Sequence, residues 1–197
     1  TASDPDGDPL SFSYSGWMIS ATYTTTYTDA GTHPVTITVS DGLLTDSQTI
    51  TVTVTDVNRP PTAPSTPTPP DGAIDQPITL TLAWQAGTDP DGEAVTYDVV
   101  LEANTNPPTT QIATGLDHPE LEVGPLEGLT SYFWQVIASD GRGGTTAGPL
   151  WRFSTADPTP PELMETQPAA GAELVPRDTN ILVKLQDEGS GLDLATL

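Results

Sequence analysis

Two short stretches limit the fold more than anything else in this chain. VTITV (35–39) and ITVTV (50–54) alternate strictly between β-branched apolar residues and threonine. Val35, Ile37 and Val39 fall on one face, and Ile50, Val52 and Val54 repeat the pattern. A period of two built on β-branched residues marks half-buried antiparallel strands. SDGLLTDS supplies the turn between them, and LSFSYSG (10–16) reads as a further strand. A proline run, RPPTAPSTPTPP (59–70), then interrupts the pattern and reads as extended linker or edge strand, because proline cannot donate to a ladder. Strands resume at ITLTLAW (78–84), AVTYDVVLE (94–102), HPELEVGPL (118–126), SYFWQVIASD (131–140) and LWRFST (150–155). ADPTPPE (156–162) breaks the chain again, ahead of two strands around ELMETQP and NILVKLQD. Turn signals about 8–12 residues apart are the pattern of an all-β sandwich.

Charge and composition narrow the chemistry. The 197 residues include 27 acidic and 5 basic ones, a net charge of −22. Phosphate backbones and anionic lipid surfaces are repelled, which argues against nucleic acid and favours cations as partners. There is no cysteine, so disulfides and thiolate–metal chemistry are absent. No run of 18 apolar residues exists, so membrane insertion is not expected. The sequence does not begin with Met and carries no signal peptide, the expectation for a processed product or a window of a longer chain.

An acidic turn occurs twice. DPDGD (4–8) returns as DPDGE (89–93), and each is followed by a Ser-Asp-Gly turn, at 40–42 and at 139–141. Asp-Pro-Asp-Gly suits a type I turn position by position, so turn chemistry by itself accounts for either copy.

Residues 62–156 resemble a bacterial fibronectin type III domain. Trp84 stands at that family's buried tryptophan, and Leu126, Thr130 and Tyr132 match its L-x-P-x-T-x-Y corner with Gly128 in the proline position. Residues 1–58 resemble the later strands of PKD or bacterial cadherin-like repeats through YTDAGTHPVTITVSDG (27–42), with His33 replacing the usual tyrosine. The segment from Pro160 on looks like the start of a bacterial Ig-like domain. The resemblance implies an all-β chain of tandem antiparallel Ig-like and fibronectin type III-like sandwiches in an extended array. Its segments are 1–58, lacking its first strands, 59–156 with the proline-rich lead-in 59–70, and 157–197, truncated.

In such sandwiches the B–C and F–G loops share one end. The resemblance therefore brings Asp4, Asp6 and Asp8 towards Asp41, and Asp89, Asp91 and Glu93 towards Asp140. Asp56 and Asn58 arrive at the second cluster from the preceding segment. Ca²⁺ takes six to eight oxygen ligands in flexible geometry, so structural Ca²⁺ held by these ten residues is expected to stiffen the joints. DVNRPP (56–61) is similar to the cadherin linker D-x-N-D-x-P, with Arg59 at its second aspartate. An EF-hand is a poor match, since its glycine falls at loop position six while Gly7 and Gly92 fall at position four. Asp157, Asp187, Glu188 and Asp193 are candidates for a third such junction, or simply an acidic turn.

Catalytic signatures are missing from the sequence: no G-x-S-x-G, H-E-x-x-H or P-loop occurs. His33 and His118 stand alone and read as packing or surface residues. Trp84 and Trp134 lie among apolar neighbours and read as core, whereas Trp17 and Trp151 are candidates for a sugar-binding platform. Thr-rich strand faces, with 14 Thr in the first 58 residues, suit O-linked sugars or plain solvation equally. The expectation is a non-catalytic structural or adhesive spacer of an extracellular or cell-surface multidomain protein. Its partners would be other Ig-like domains of its own or neighbouring chains, including a head-to-tail homopolymer in which 162–197 of one copy fills the gap in 1–58 of the next, and surface glycans. The alternative is an accessory carbohydrate-binding region of a secreted hydrolase.

Overall fold

The structure is a computed structural model that describes residues 2–169, 171–173, 175–178, 180 and 182–187. The chain divides into two compact units, 1–58 and 59–197. Both are built almost wholly of antiparallel β-structure, and among the described residues no helix is long and apolar enough to cross a membrane.

The first unit is a three-stranded sheet in the order β1 (Ser11–Gly16), β2 (Gly31–Ser40), β3 (Thr45–Val54). Register sorts most of its side chains, because neighbouring residues point to opposite faces, with Gln48 opposite Ile37 and Asp46 opposite Val39 as the polar exceptions on the apolar side. Phe12 lies opposite Val39 and Tyr14 opposite Ile37, while Val35 lies opposite Ile50 and His33 opposite Val52. These make an apolar face. The other face carries Ser11, Ser13 and Ser15 from β1, Thr32, Pro34, Thr36, Thr38 and Ser40 from β2, and Thr45, Ser47, Thr49, Thr51 and Thr53 from β3. A hydrogen bond of 2.8 Å joins the Thr36 and Thr49 hydroxyls across the strands. One 3-10 turn, Tyr27–Asp29, interrupts the connection from β1 to β2.

The second unit contains a two-layer sandwich. One layer is β4 (Ser65–Thr68), β6 (Leu80–Gln85) and β9 (Glu120–Val123), in that order. The other runs β5 (Ala73–Gln76), β12 (Trp151–Thr155), β10 (Ser131–Ser139), β7 (Thr96–Ala103), β8 (Gln111–Leu116), with β11 (Thr145–Ala147) also on β10. The proline run thus supplies an edge strand, β4, rather than a free linker. Its position at the sheet margin is the one that proline tolerates. β5 pairs with β12 in parallel, the one parallel pairing among the described strands.

Strand β10 shows why this sequence makes a sandwich. Tyr132, Trp134, Val136 and Ala138 point inward and are all buried, while the residues between them are not. Leu82, Trp84, Tyr97, Val99, Leu101, Val123, Trp151 and Phe153 close around them. Each fully buried large side chain is worth about 1.5–3 kcal/mol. That gain outweighs the unmet donors at Trp84 Nε1 and Trp134 Nε1, at about 1–3 kcal/mol each, which find no protein partner in this core. Trp151 is 5% exposed and lies 4.8 Å from Trp134 between ring centroids, so it is core and not a surface platform. The tyrosine corner forms as the resemblance implies: the Tyr132 hydroxyl accepts the Glu127 N–H at 2.9 Å.

The same unit carries a hairpin of β13 (Glu162–Gln167) and β14 (Leu182–Gln186), which pair antiparallel across a bulge.

Candidate functional site

All four acidic turns use their first aspartate in the same way. Asp4 Oδ1 accepts the N–H groups of Asp6 at 2.8 Å and Asp8 at 3.2 Å. Asp89 Oδ1 accepts those of Asp91 at 2.8 Å and Glu93 at 3.4 Å. Asp41 Oδ1 takes Leu43 and Leu44 at 2.7 and 2.6 Å, and Asp140 Oδ1 takes Arg142 and Gly144 at 2.7 and 2.9 Å. A short carboxylate that satisfies the backbone two residues on is the mechanism that fixes such turns. Gly7 and Gly92 complete the turns at φ +84° and +87°, a region that other residues rarely adopt. The N–H bonds of Leu44 and Leu43 hold the Asp41 carboxyl below its ordinary range.

Register brings the paired turns together. Ser11 faces Ser40 at one end of β1–β2, and Thr96 faces Ser139 at the corresponding end of β7–β10. In the first unit Asp4, Asp41 and Asp46 line one shallow depression with Leu10, Val39 and Leu44. In the second unit Arg142, from the turn after β10, forms an ion pair with Glu93, from the turn before β7.

Among the described residues, a close group of three carboxylates forms in the second unit. Asp89, Asp91 and Glu93 each place an oxygen within 4.8 Å of the others, the one such group among the described residues. Two arginines meet it. Arg59 donates from Nε to Asp91 Oδ1 at 2.8 Å, from Nη2 to the same oxygen at 2.5 Å, and from its backbone N–H to Oδ2 at 2.7 Å. A further Nη2 bond reaches the Pro90 carbonyl at 2.7 Å. These bonds, the Arg59 side chain's foremost, hold the Asp91 carboxyl below its usual range. Charge-assisted bonds of this kind are the strong ones, and Asp91 is 15% exposed. The arginine that departs from the cadherin linker pattern is therefore the counter-ion of the turn. Asp89 Oδ2 and Glu93 Oε2 are buried and have no hydrogen-bond partner. Asp140 is 5% exposed, and a Cβ on Gly144 would fall 2.1 Å from its Oδ2, so the turn closes tightly over it.

Asp56 and Asn58 close the first unit. Asp157 caps its own turn, accepting the Thr159 N–H at 2.9 Å. Glu188 and Asp193 lie outside the described residues. Trp17 is half-buried, stacked on His33 with centroids 4.1 Å apart and flanked by Tyr23 at 4.5 Å. His33 Nε2 donates to the Asp29 carbonyl at 2.7 Å. His118 is exposed and pairs with the neighbouring Asp117.

No family model matches the sequence, and no curated protein matches it. Among solved structures the chain is similar to domains A168–A170 of titin, at 21% identity over 77% of this chain and 56% of that one, with a TM-score of 0.38. It is also similar to the chicken CNTN1 FN1–FN3 domains, at 15% identity over 68% and 48%, with a TM-score of 0.41. The chain spans about half the length of the structures it matches.

Proposed function

We propose that the chain is a load-bearing, non-catalytic spacer segment of an extracellular or cell-surface protein. The parallel pairing of β5 with β12 carries this reading. These strands lie near the start and the end of the sandwich. Tension drawn in at Arg59 and out beyond Thr155 pulls them in opposite directions along their length. Their bonds are then loaded together in shear instead of one at a time. The bonds are Gly72 N–H to the Arg152 carbonyl at 2.8 Å, Ala156 N–H to the Gln76 carbonyl at 2.8 Å, and Arg152 N–H to Asp71 Oδ1 at 2.9 Å. Forced unfolding is governed by the unfolding rate, and a shear-loaded pair raises that barrier. Single-molecule extension tests it. Asp71→Ala combined with Ala156→Pro should lower the unfolding force of the second unit, and an unchanged force ends the reading.

A second reading concerns calcium. The bare oxygens Asp89 Oδ2 and Glu93 Oε2 support a weak Ca²⁺ site at the turn, alongside the two arginines. Affinity on the order of 10⁻⁴–10⁻³ M suits an extracellular module. At ten times Kd the stabilisation is about 1.4 kcal/mol. Superimposable thermal melts in Ca²⁺ and in EDTA refute it.

A further inference from the structure

The lead-in to the second unit is seated between two turns. A Cβ on Gly87 would fall 2.1 Å from the Thr62 carbonyl oxygen, and one on Gly144 would fall 2.9 Å from Pro60 Cα. Neither glycine has a positive φ, so close approach of the lead-in, and not backbone conformation, is what calls for glycine there.

Hydrogen bonds at two residues close this seat. Arg59 grips Asp91 and the Pro90 carbonyl with four of them. Thr62 and Thr88 bond reciprocally: the Thr62 N–H donates to the Thr88 carbonyl at 2.9 Å, and the Thr88 N–H donates to Thr62 Oγ1 at 2.8 Å. The gripped turn is itself braced, since Asp89 Oδ1 accepts the Asp91 N–H at 2.8 Å. It leads into β7, whose Tyr97, Val99 and Leu101 are buried. Beyond the grip the lead-in is held more loosely. Six of residues 59–70 are prolines, which have no N–H to donate. β4 is in register with β6 only at Ser65↔Gln85 and Thr68↔Ala83. The side-chain bonds from Ser65 and Thr66 to Gln85 are long, at 3.4 and 3.3 Å, and burial of Pro64 supplies the rest of the hold.

We propose that residues 59–62, gripped by the turn 88–91, are a mechanical latch that passes tension from Arg59 straight to β7. β4 and the β5–β12 pair come under load only when the latch opens. This rests on the load-bearing reading for the point at which tension enters. Arginine suits the role, because its charge-assisted bonds from one rigid guanidinium must break together. Opening releases residues 59–72, at most about 50 Å of chain, ahead of the sandwich itself.

Two measurements test the latch. Single-molecule extension of the full chain should show a short step before the second unit ruptures. Arg59→Ala with Thr62→Val should abolish the step and leave the rupture force unchanged. Asp71→Ala with Ala156→Pro should do the reverse. A missing step in the parent, or one that survives Arg59→Ala with Thr62→Val, overturns the latch. A step that behaves as expected beside a rupture force indifferent to the other pair upholds the latch and counts against the β5–β12 reading alone. Hydrogen exchange needs no force. Thr62 and Thr88 each lie three residues from the Arg59–Asp91 pair, yet Arg59→Ala should speed exchange of both amides several-fold while those of β10 keep the parent's rates. Unchanged exchange at Thr62 and Thr88 would mean that the bonds open independently, and that no latch exists.

Discussion

The β1–β2 ladder and the β7–β10 ladder share a register and a pair of aspartate-capped turns, yet they end in different states. Over β7–β10 lies a second layer, and its inner residues are buried to a few per cent. Over β1–β2 the connection brings Trp17 against His33, with Tyr23 packed on Trp17 in turn, while Phe12 stays open. The turns differ too. The second unit draws on Arg59 and Arg142 to neutralise its acids, whereas residues 1–58 contain seven aspartates and no Lys or Arg. A common backbone scaffold thus fixes where the carboxylates go. What surrounds them is decided by residues far away in sequence.

The largest break in the comparison should come from the cores. Trp134→Ala is expected to cost roughly 3–5 kcal/mol in denaturant unfolding of the second unit. The corresponding Val35→Ala removes two methyl groups and should cost only about 1.6 kcal/mol. Equal losses would mean that the two sheets are equally well packed. Next comes the clamp. Arg59→Ala should lower the melting temperature of the second unit and leave the first unchanged. The effect has a defined pH dependence. Asp91 has a folded pKa held below its ordinary value, so its contribution is complete above the usual aspartate range near 3.9 and is lost as pH falls through the folded value. Melts of parent and Arg59→Ala should therefore converge in acid; a gap that persists at low pH counts against the ion pair. The smallest effect sharpens the comparison by grafting. Leu43, 91% exposed, occupies the position of Arg142, and Asp8 that of Glu93. Leu43→Arg should stabilise the first unit by about 0.5 kcal/mol at low salt and by less at high salt. A graft that destabilises at low salt would show that the two turns are not superimposable.

Much of this architecture could be read from local pattern. β2, β3 and β10 follow from strict alternation, and Trp84 and Trp134 from the company they keep. The meeting of the paired turns followed from the family resemblance. Other features were hidden because their causes are non-local. β5 is only four residues long, and its partner β12 lies almost eighty residues downstream. β4 sits among prolines that suit an edge but resemble a linker. Trp151 opens its strand, so no alternation precedes it to reveal its side. Arg59 was visible as a departure from a linker pattern, but nothing local points across 32 residues to Asp91.

The sparing use of basic residues also shapes how this chain meets proteases that cleave after arginine or lysine. Arg59, the first basic residue, is followed by Pro60, a bond such enzymes do not cut, and its side chain is already engaged by Asp91. The next candidate is Arg142, which sits in a turn where such enzymes like to cut but is held by Glu93. Arg152 follows inside β12, where the backbone is committed to its neighbours. To a trypsin-like enzyme residues 1–142 therefore form one piece, and the ion pairs that quiet the acidic turns also tie up the arginines such an enzyme must bind.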